Sequence, residues 1–176
     1  MVDVNKWDAR YRAGEHTNRD PHPLLARAIE DVPPGDALDL ACGAGRHALL
    51  LAARGWSVTA VDASAVAIEI LSARAAEAGV AVDSRTADLE GPEFTIEESA
   101  FDLICDFLYL QRDLFPRIRG GIRPGGLFAA AIPSQIPMNP AYRVASGELA
   151  GFFPGWEILH CAEGEMSELI ARRPRR

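Results

Sequence analysis

Residues 37–46 read Ala37-Leu38-Asp39-Leu40-Ala41-Cys42-Gly43-Ala44-Gly45-Arg46, and they decide the fold. The run from Ala37 to Ala41 is short and apolar and follows the breaker Pro33-Pro34-Gly35, the pattern of a buried strand. Cys42 to Gly45 is a turn. Arg46 to Arg54 then carries Leu49, Leu50 and Ala53 on one helical face, with Gly55 placed to end the helix. A strand feeding a helix through a glycine turn opens a parallel α/β unit.

The alternation continues outward. Pro23 to Asp31 precedes the unit as a short helix. Trp56 to Val61 is a second strand ended by Asp62, and Ser64 caps a helix over Ala65 to Ala78 that Gly79 terminates. Val80 to Thr86 is a polar, edge-side third strand and Phe101 to Cys105 a fourth. Asp113 is placed to cap a helix over Leu114 to Ile122, with Pro116 tolerated in its first turn. Leu127 to Ile132 is a fully apolar fifth strand, Gly147 to Phe153 a short helix. Trp156 to Cys161 and Met166 to Ala171 are two final strands joined through residues 162–165, a link too short for a helical crossover. The expected fold is therefore a Rossmann-like α/β domain: seven strands, one antiparallel through the terminal hairpin, helices on both faces.

Composition narrows the function. The net charge of −7 opposes general nucleic-acid binding, which needs a basic surface. No apolar run approaches the roughly 20 residues of a membrane helix, and residues 1–10 lack a signal-peptide core. Three widely spaced cysteines, Cys42, Cys105 and Cys161, read as reduced thiols of a cytoplasmic protein. No metal-ligand cluster stands out.

In open parallel sheets ligands bind beyond the carboxyl ends of the strands, where the glycine turn sits. Gly43-Ala44-Gly45 alone is a weak sign, since it also fits a loose dinucleotide fingerprint. Asp62 adds a carboxylate able to accept from both hydroxyls of a ribose. Asp39 discriminates: before the turn it would repel a pyrophosphate but suits a ligand carrying an ammonium and a sulfonium.

At this point the chain resembles class I S-adenosylmethionine-dependent methyltransferases. Leu38 to Arg46 resembles their first motif, with Ala41 where the family has a glycine. Val58 to Ser64 resembles the acidic motif, Thr86 to Leu89 the adenine segment, Phe101 to Ile104 the fourth-strand motif, and Gly120 to Leu127 the turn before the fifth strand. A narrower likeness, through Trp7 to Tyr11 and Gly147 to Ile158, is to the thiopurine and tellurite-resistance branch. The resemblance implies one methyltransferase domain over residues 1–176, with 1–22 as an N-terminal cap. It implies S-adenosylmethionine as cofactor, S-adenosylhomocysteine as product, and a small-molecule methyl acceptor.

It also implies roles. Asp39 and the turn Ala41, Cys42 and Gly43 hold the methionine part. Asp62 holds the ribose, and Asp88 and Leu89 meet the adenine, Asp88 accepting from the amino group; Gly45, Ala63 and Ala87 complete the cofactor site. Asp106 and Phe107 border the methyl-transfer site, and Trp7 and Tyr11 form a lid. Tyr109, Gln135, Asn139, Tyr142 and Arg143 are candidates for the acceptor pocket, with Ile136 and Met138 adding apolar surface. His16, His22 and His47 are the candidate bases, but no triad is visible. A soft acceptor such as a thiol or a selenium or tellurium oxyanion needs none. The alternative is a non-catalytic S-adenosylmethionine-binding regulatory module; the acceptor and the oligomeric state stay open.

Overall fold

The computed structural model describes residues 3–135 and 139–175. Helix α1 (Val4–Arg12) and α2 (Pro23–Ala28) precede β1 (Asp36–Leu40), α3 (Arg46–Ala53), β2 (Ser57–Asp62), α4 (Ala65–Ala78) and β3 (Asp83–Thr86). Then come β4 (Phe101–Phe107), a 3-10 turn (Arg112–Leu114), α5 (Phe115–Gly121), β5 (Ile122–Pro133), a second 3-10 turn (Pro140–Tyr142), α6 (Glu148–Gly151), β6 (Glu157–Glu163) and β7 (Met166–Arg172). The seven strands form one sheet in the order β3-β2-β1-β4-β5-β7-β6. Neighbours are parallel from β3 through β5, and β7 runs antiparallel to both β5 and β6.

The apolar strands serve two cores. In β5, Leu127, Ala129 and Ala131 pack toward α2, α3 and α4, whereas Phe128, Ala130 and Ile132 face α5 and α6. Period-two alternation with both faces buried is why that strand reads as continuously apolar. At the opposite end from the glycine turn, Asp102 is a structural pin. One of its oxygens accepts from the Asp36 backbone N–H (2.9 Å) and from Arg123 (2.6 Å), and Arg123 also reaches Asp36 (2.8 Å).

Several boundaries differ from the sequence reading: β5 starts at Ile122 rather than Leu127, β4 runs on to Phe107, and α2 ends at Ala28. The third strand starts at Asp83 because the Val80 N–H closes the end of α4 on the Ala75 carbonyl, with Gly79 at φ 67°. Asp113 does not cap a helix. It lies inside the 3-10 turn, and α5 begins one residue later with Pro116 in its first turn and no side-chain cap. The terminal strands extend through Glu163 and from Met166, leaving only Gly164 and Glu165 between them. The Ser64 cap is as read: its hydroxyl oxygen accepts from the Ala67 N–H at 3.1 Å.

Candidate functional site

The carboxyl ends of β2, β1, β4 and β5 open into one cavity of about 1070 Å³, roofed by α1. Its floor at β2 is set by Asp62. One oxygen accepts from the Gly43 N–H and the other from the Ser64 N–H, both at 2.8 Å. The Cys42 N–H meanwhile bonds the Val61 carbonyl at 3.0 Å. Asp62 thus ties the glycine turn to the end of β2 and keeps a lone pair on each oxygen for a ligand. Burial raises its pKa, and the backbone donors oppose that rise.

Glycine is needed at position 43. Its φ is 53°, and a Cβ there would stand 2.7 Å from the Tyr11 hydroxyl. Tyr11 is buried above the turn, its phenol pushed up by burial and by Asp62. Trp7 lies 6.1 Å from it and carries the Arg10 guanidinium on its face. The Ser64 hydroxyl donates to Asp8 at 2.5 Å, fastening α1 to the start of α4.

Asp39 and Asp106 lie beneath the cavity and do not line it. Both are almost wholly buried, and each has one carboxylate oxygen without a hydrogen-bond partner. Asp39 accepts from the Cys105 thiol at 3.4 Å, and burial pushes its pKa up to about 7. Asp106 is driven well above the carboxylate range by burial and by Asp39. An orphaned carboxylate oxygen under a glycine turn fits a ligand that brings a cation.

Other expected residues divide. Ala41, Cys42, Ala63, Leu89, Phe107, Tyr109 and Tyr142 line the cavity. Ala41 holds φ at 51°, whereas a negative φ would have suited alanine. Gly45 does not line the cavity. Its φ is 85°, and a Cβ would meet Leu71 at 2.1 Å, so this glycine serves the contact between α3 and α4. Ala87 and Asp88 face a neighbouring depression of about 820 Å³ on the sheet face over β1 to β3, and the Asp88 carboxylate accepts from the Glu90 N–H. Gln135, Asn139 and Arg143 also lie off the cavity wall: Asn139 accepts from the Ala141 N–H and Arg143 donates to the Ser134 carbonyl. Ile136 and Met138 lie outside the described residues.

Of the three candidate bases, His22 and His47 are committed. His47 stacks on Phe107 at 4.1 Å and accepts from the His22 N–H through Nε2; burial lowers its pKa to about 3. Nδ1 of His22 accepts from the Leu24 N–H. Neither offers that lone pair to the cavity. His16 lines the mouth and packs edge-on to Trp7. Among the described residues no group of three or more His, Cys, Asp or Glu is arranged to hold a metal.

Sequence reasoning missed Arg46, Glu90 and Leu108 on the wall. Arg46 was legible, as the first helical residue after the glycine turn. Leu108, exposed and at φ 69°, had no sequence signal, because leucine disfavours that conformation.

The sequence profile of the methyltransferase domain family matches residues 37–126. The Haemophilus influenzae protein named "Probable S-adenosyl-L-methionine-dependent methyltransferase TehB" is 28% identical over 160 residues, 84% of this chain and 54% of that protein. The ubiquinone biosynthesis O-methyltransferase of Methylobacterium nodulans is 31% identical over 147 residues, 80% of this chain and 55% of that one. The chain spans about half the length of the curated relatives it matches. The crystal structure of TehB from Haemophilus influenzae superposes with a TM-score of 0.81 at 19% identity, over 94% of this chain and 67% of that chain, and so supports the fold. With its glycine turn and acidic strand end inside the matched span, and a seven-stranded sheet around them, the chain belongs to the methyltransferase domain family, among the class I S-adenosylmethionine-dependent methyltransferases.

Proposed function

We propose that this domain transfers a methyl group from S-adenosylmethionine to a small, soft acceptor of the thiol or chalcogen class, with the helix that carries Trp7 and Tyr11 acting as its lid. The observation that carries the cofactor half is the Asp39 oxygen left without a partner beneath the turn at Ala41 to Gly43. A dinucleotide pyrophosphate would be repelled there, whereas an ammonium would be drawn in. On this reading Asp39 and the turn hold the methionine part. Asp62 holds the ribose hydroxyls, and Leu89 and Asp88 meet the adenine. When bound, the cofactor supplies an electrophilic methyl group on a sulfonium.

The chain's own work is to orient the reactants and exclude water. Tyr11 and Trp7 cover the donor end. Phe107, stacked on both His22 (5.4 Å) and His47 (4.1 Å), walls the acceptor end with Pro133 and Tyr142. Both histidines are engaged by backbone donors and shifted down, which supports an acceptor that ionises by itself. Arg46 lines the cavity with one guanidinium nitrogen on the Asp20 carbonyl (3.1 Å) and no ion pair among the described residues, so it favours the acceptor's anionic form.

Calorimetry tests the cofactor: S-adenosylhomocysteine binds and NAD does not. Turnover on matched thiol, amine and phenol acceptors tests the rest. The thiol is fastest, with a pH profile that follows its own ionisation. Binding without turnover on any acceptor makes the domain a regulatory module instead.

A further inference from the structure

Tyr109 follows β4, so its place in the chain suggests the acceptor pocket. Its hydroxyl belongs to another neighbourhood. The charges that act on it are the carboxylates of Glu90, Asp106, Asp88 and Asp62, in that order of influence. Three of the four lie at or just beyond the ends of β2 and β3. The ring packs against the core cluster on the α5 and α6 face of the sheet, and the residue lines the cavity together with Asp62, Ala63 and Leu89. The hydroxyl itself is buried and has no hydrogen-bond partner.

We propose that Tyr109 is a cofactor-positioning residue whose hydroxyl donates to a lone-pair atom on the adenosine half of the ligand. Among the described residues the other polar side chains assigned to that half, Asp62 and Asp88, are carboxylates and can only accept when ionised. Adenine ring nitrogens and ribose oxygens also need a donor, and Tyr109 provides one. Burial and the surrounding carboxylates push its phenol up, which keeps the proton on the oxygen. A buried hydroxyl without a partner costs stability in the ligand-free protein and regains it when the ligand arrives. The assignment rests on the cofactor reading above and adds to it a residue otherwise placed with the acceptor.

The test is Tyr109→Phe, which keeps the ring and removes only the oxygen. Melting of the ligand-free protein is measured beside calorimetric affinity for S-adenosylhomocysteine and for 5′-methylthioadenosine, which keeps the adenosine half and lacks the amino-acid end. The variant melts about 2–4 °C higher than wild type. It binds both ligands about tenfold more weakly, the loss of one hydrogen bond. A merely structural hydroxyl would lower the melting point and leave both affinities unchanged, and that result overturns the proposal. A loss confined to S-adenosylhomocysteine places the hydroxyl at the methionine end and overturns it as well. Binding of both ligands by wild type and variant alike refutes the Tyr109 role alone. Failure of the wild type to bind either refutes the cofactor reading and this inference together.

Discussion

The two sides of the cavity are built differently. On the β1–β2 side the polar groups are tied down: both Asp62 oxygens hold backbone N–H groups, Ser64 is bonded to Asp8, and Tyr11 lies over Gly43. On the β4–β5 side Asp106 and Arg143 have buried polar atoms without partners, and Leu108 and Tyr142 are largely exposed. The first side is a preorganised binding surface whose geometry follows from strand register. The second takes its shape from loops, where a shared fold acquires its specificity. Asp39, on β1, is the exception on the tied-down side: it is buried with one carboxylate oxygen unpartnered, and burial raises its pKa to about 7.

That burial gives the largest expected effect. Asp39 carries a pKa of about 7 against 3.8 for the free group, because burial penalises its charge. A carboxyl raised on folding lends its stability below the unfolded value and loses it as pH climbs through the folded one. Between pH 4 and pH 7 wild type should therefore lose up to about 4 kcal/mol through this residue. Asp39→Asn keeps the acceptor for Cys105 and removes the titration. The difference in urea-unfolding free energy should grow in the variant's favour from pH 4 to pH 7 and then level off, while affinity for S-adenosylhomocysteine falls. Asp62 and Asp106 are shifted the same way, so the variant retains part of the wild-type slope. Parallel stability curves would show that Asp39 is paired in solution.

The tied-down side is probed by Asp62→Ala. Removing the carboxylate takes two charge-assisted acceptors from the proposed ribose site and two partners from the turn. Calorimetry should show a loss of about 1.5–3 kcal/mol in cofactor binding, taking one such bond as the scale. Asp62→Asn, with one acceptor oxygen left, should fall between. If Asp62→Ala binds as wild type does, the carboxylate serves the turn alone and the two sides are less distinct than drawn.

Much of the first side was legible in the sequence because local rules set it. Ser64 before an apolar helix and Gly79 after it fix α4. The fully apolar run of β5 predicts burial on both faces. Asp39 and Asp62 flank a glycine turn at spacings that strand geometry makes meaningful. What escaped depends on tertiary contact. Asp113 is a good cap by residue type, but Pro116 shifts the start of α5. Val80 looks like strand and is consumed in closing α4. The burial of the Tyr109 hydroxyl without a partner is set by tertiary packing, which no local pattern encodes. Gln135, Asn139 and Arg143 were read from their place after β5, and the polar contacts of Asn139 and Arg143 turn out to be with nearby backbone.

The smallest effect compares strain on the two sides. Ala41 just after β1 and Leu108 just after β4 both hold positive φ, at 51° and 69°, and both line the cavity. Each is pinned by its neighbourhood: the Cys42 N–H bonds the Val61 carbonyl, and the Leu108 N–H bonds the Ala131 carbonyl at 2.9 Å. For a residue with a Cβ this conformation costs about 1–2 kcal/mol. Glycine relieves it but adds about 0.4–1 kcal/mol of unfolded-chain entropy. Ala41→Gly should therefore stabilise by roughly 0.5–1 kcal/mol, seen as a melting point about 1–4 °C higher. Leu108→Gly should gain no more than this, and less by whatever its half-covered side chain buries. Strained backbone at a binding site persists when the surroundings over-determine it. If Ala41→Gly leaves the melting point where it was or lowers it, the turn relaxes in solution, and the β1–β2 side is not the rigid half of the pair.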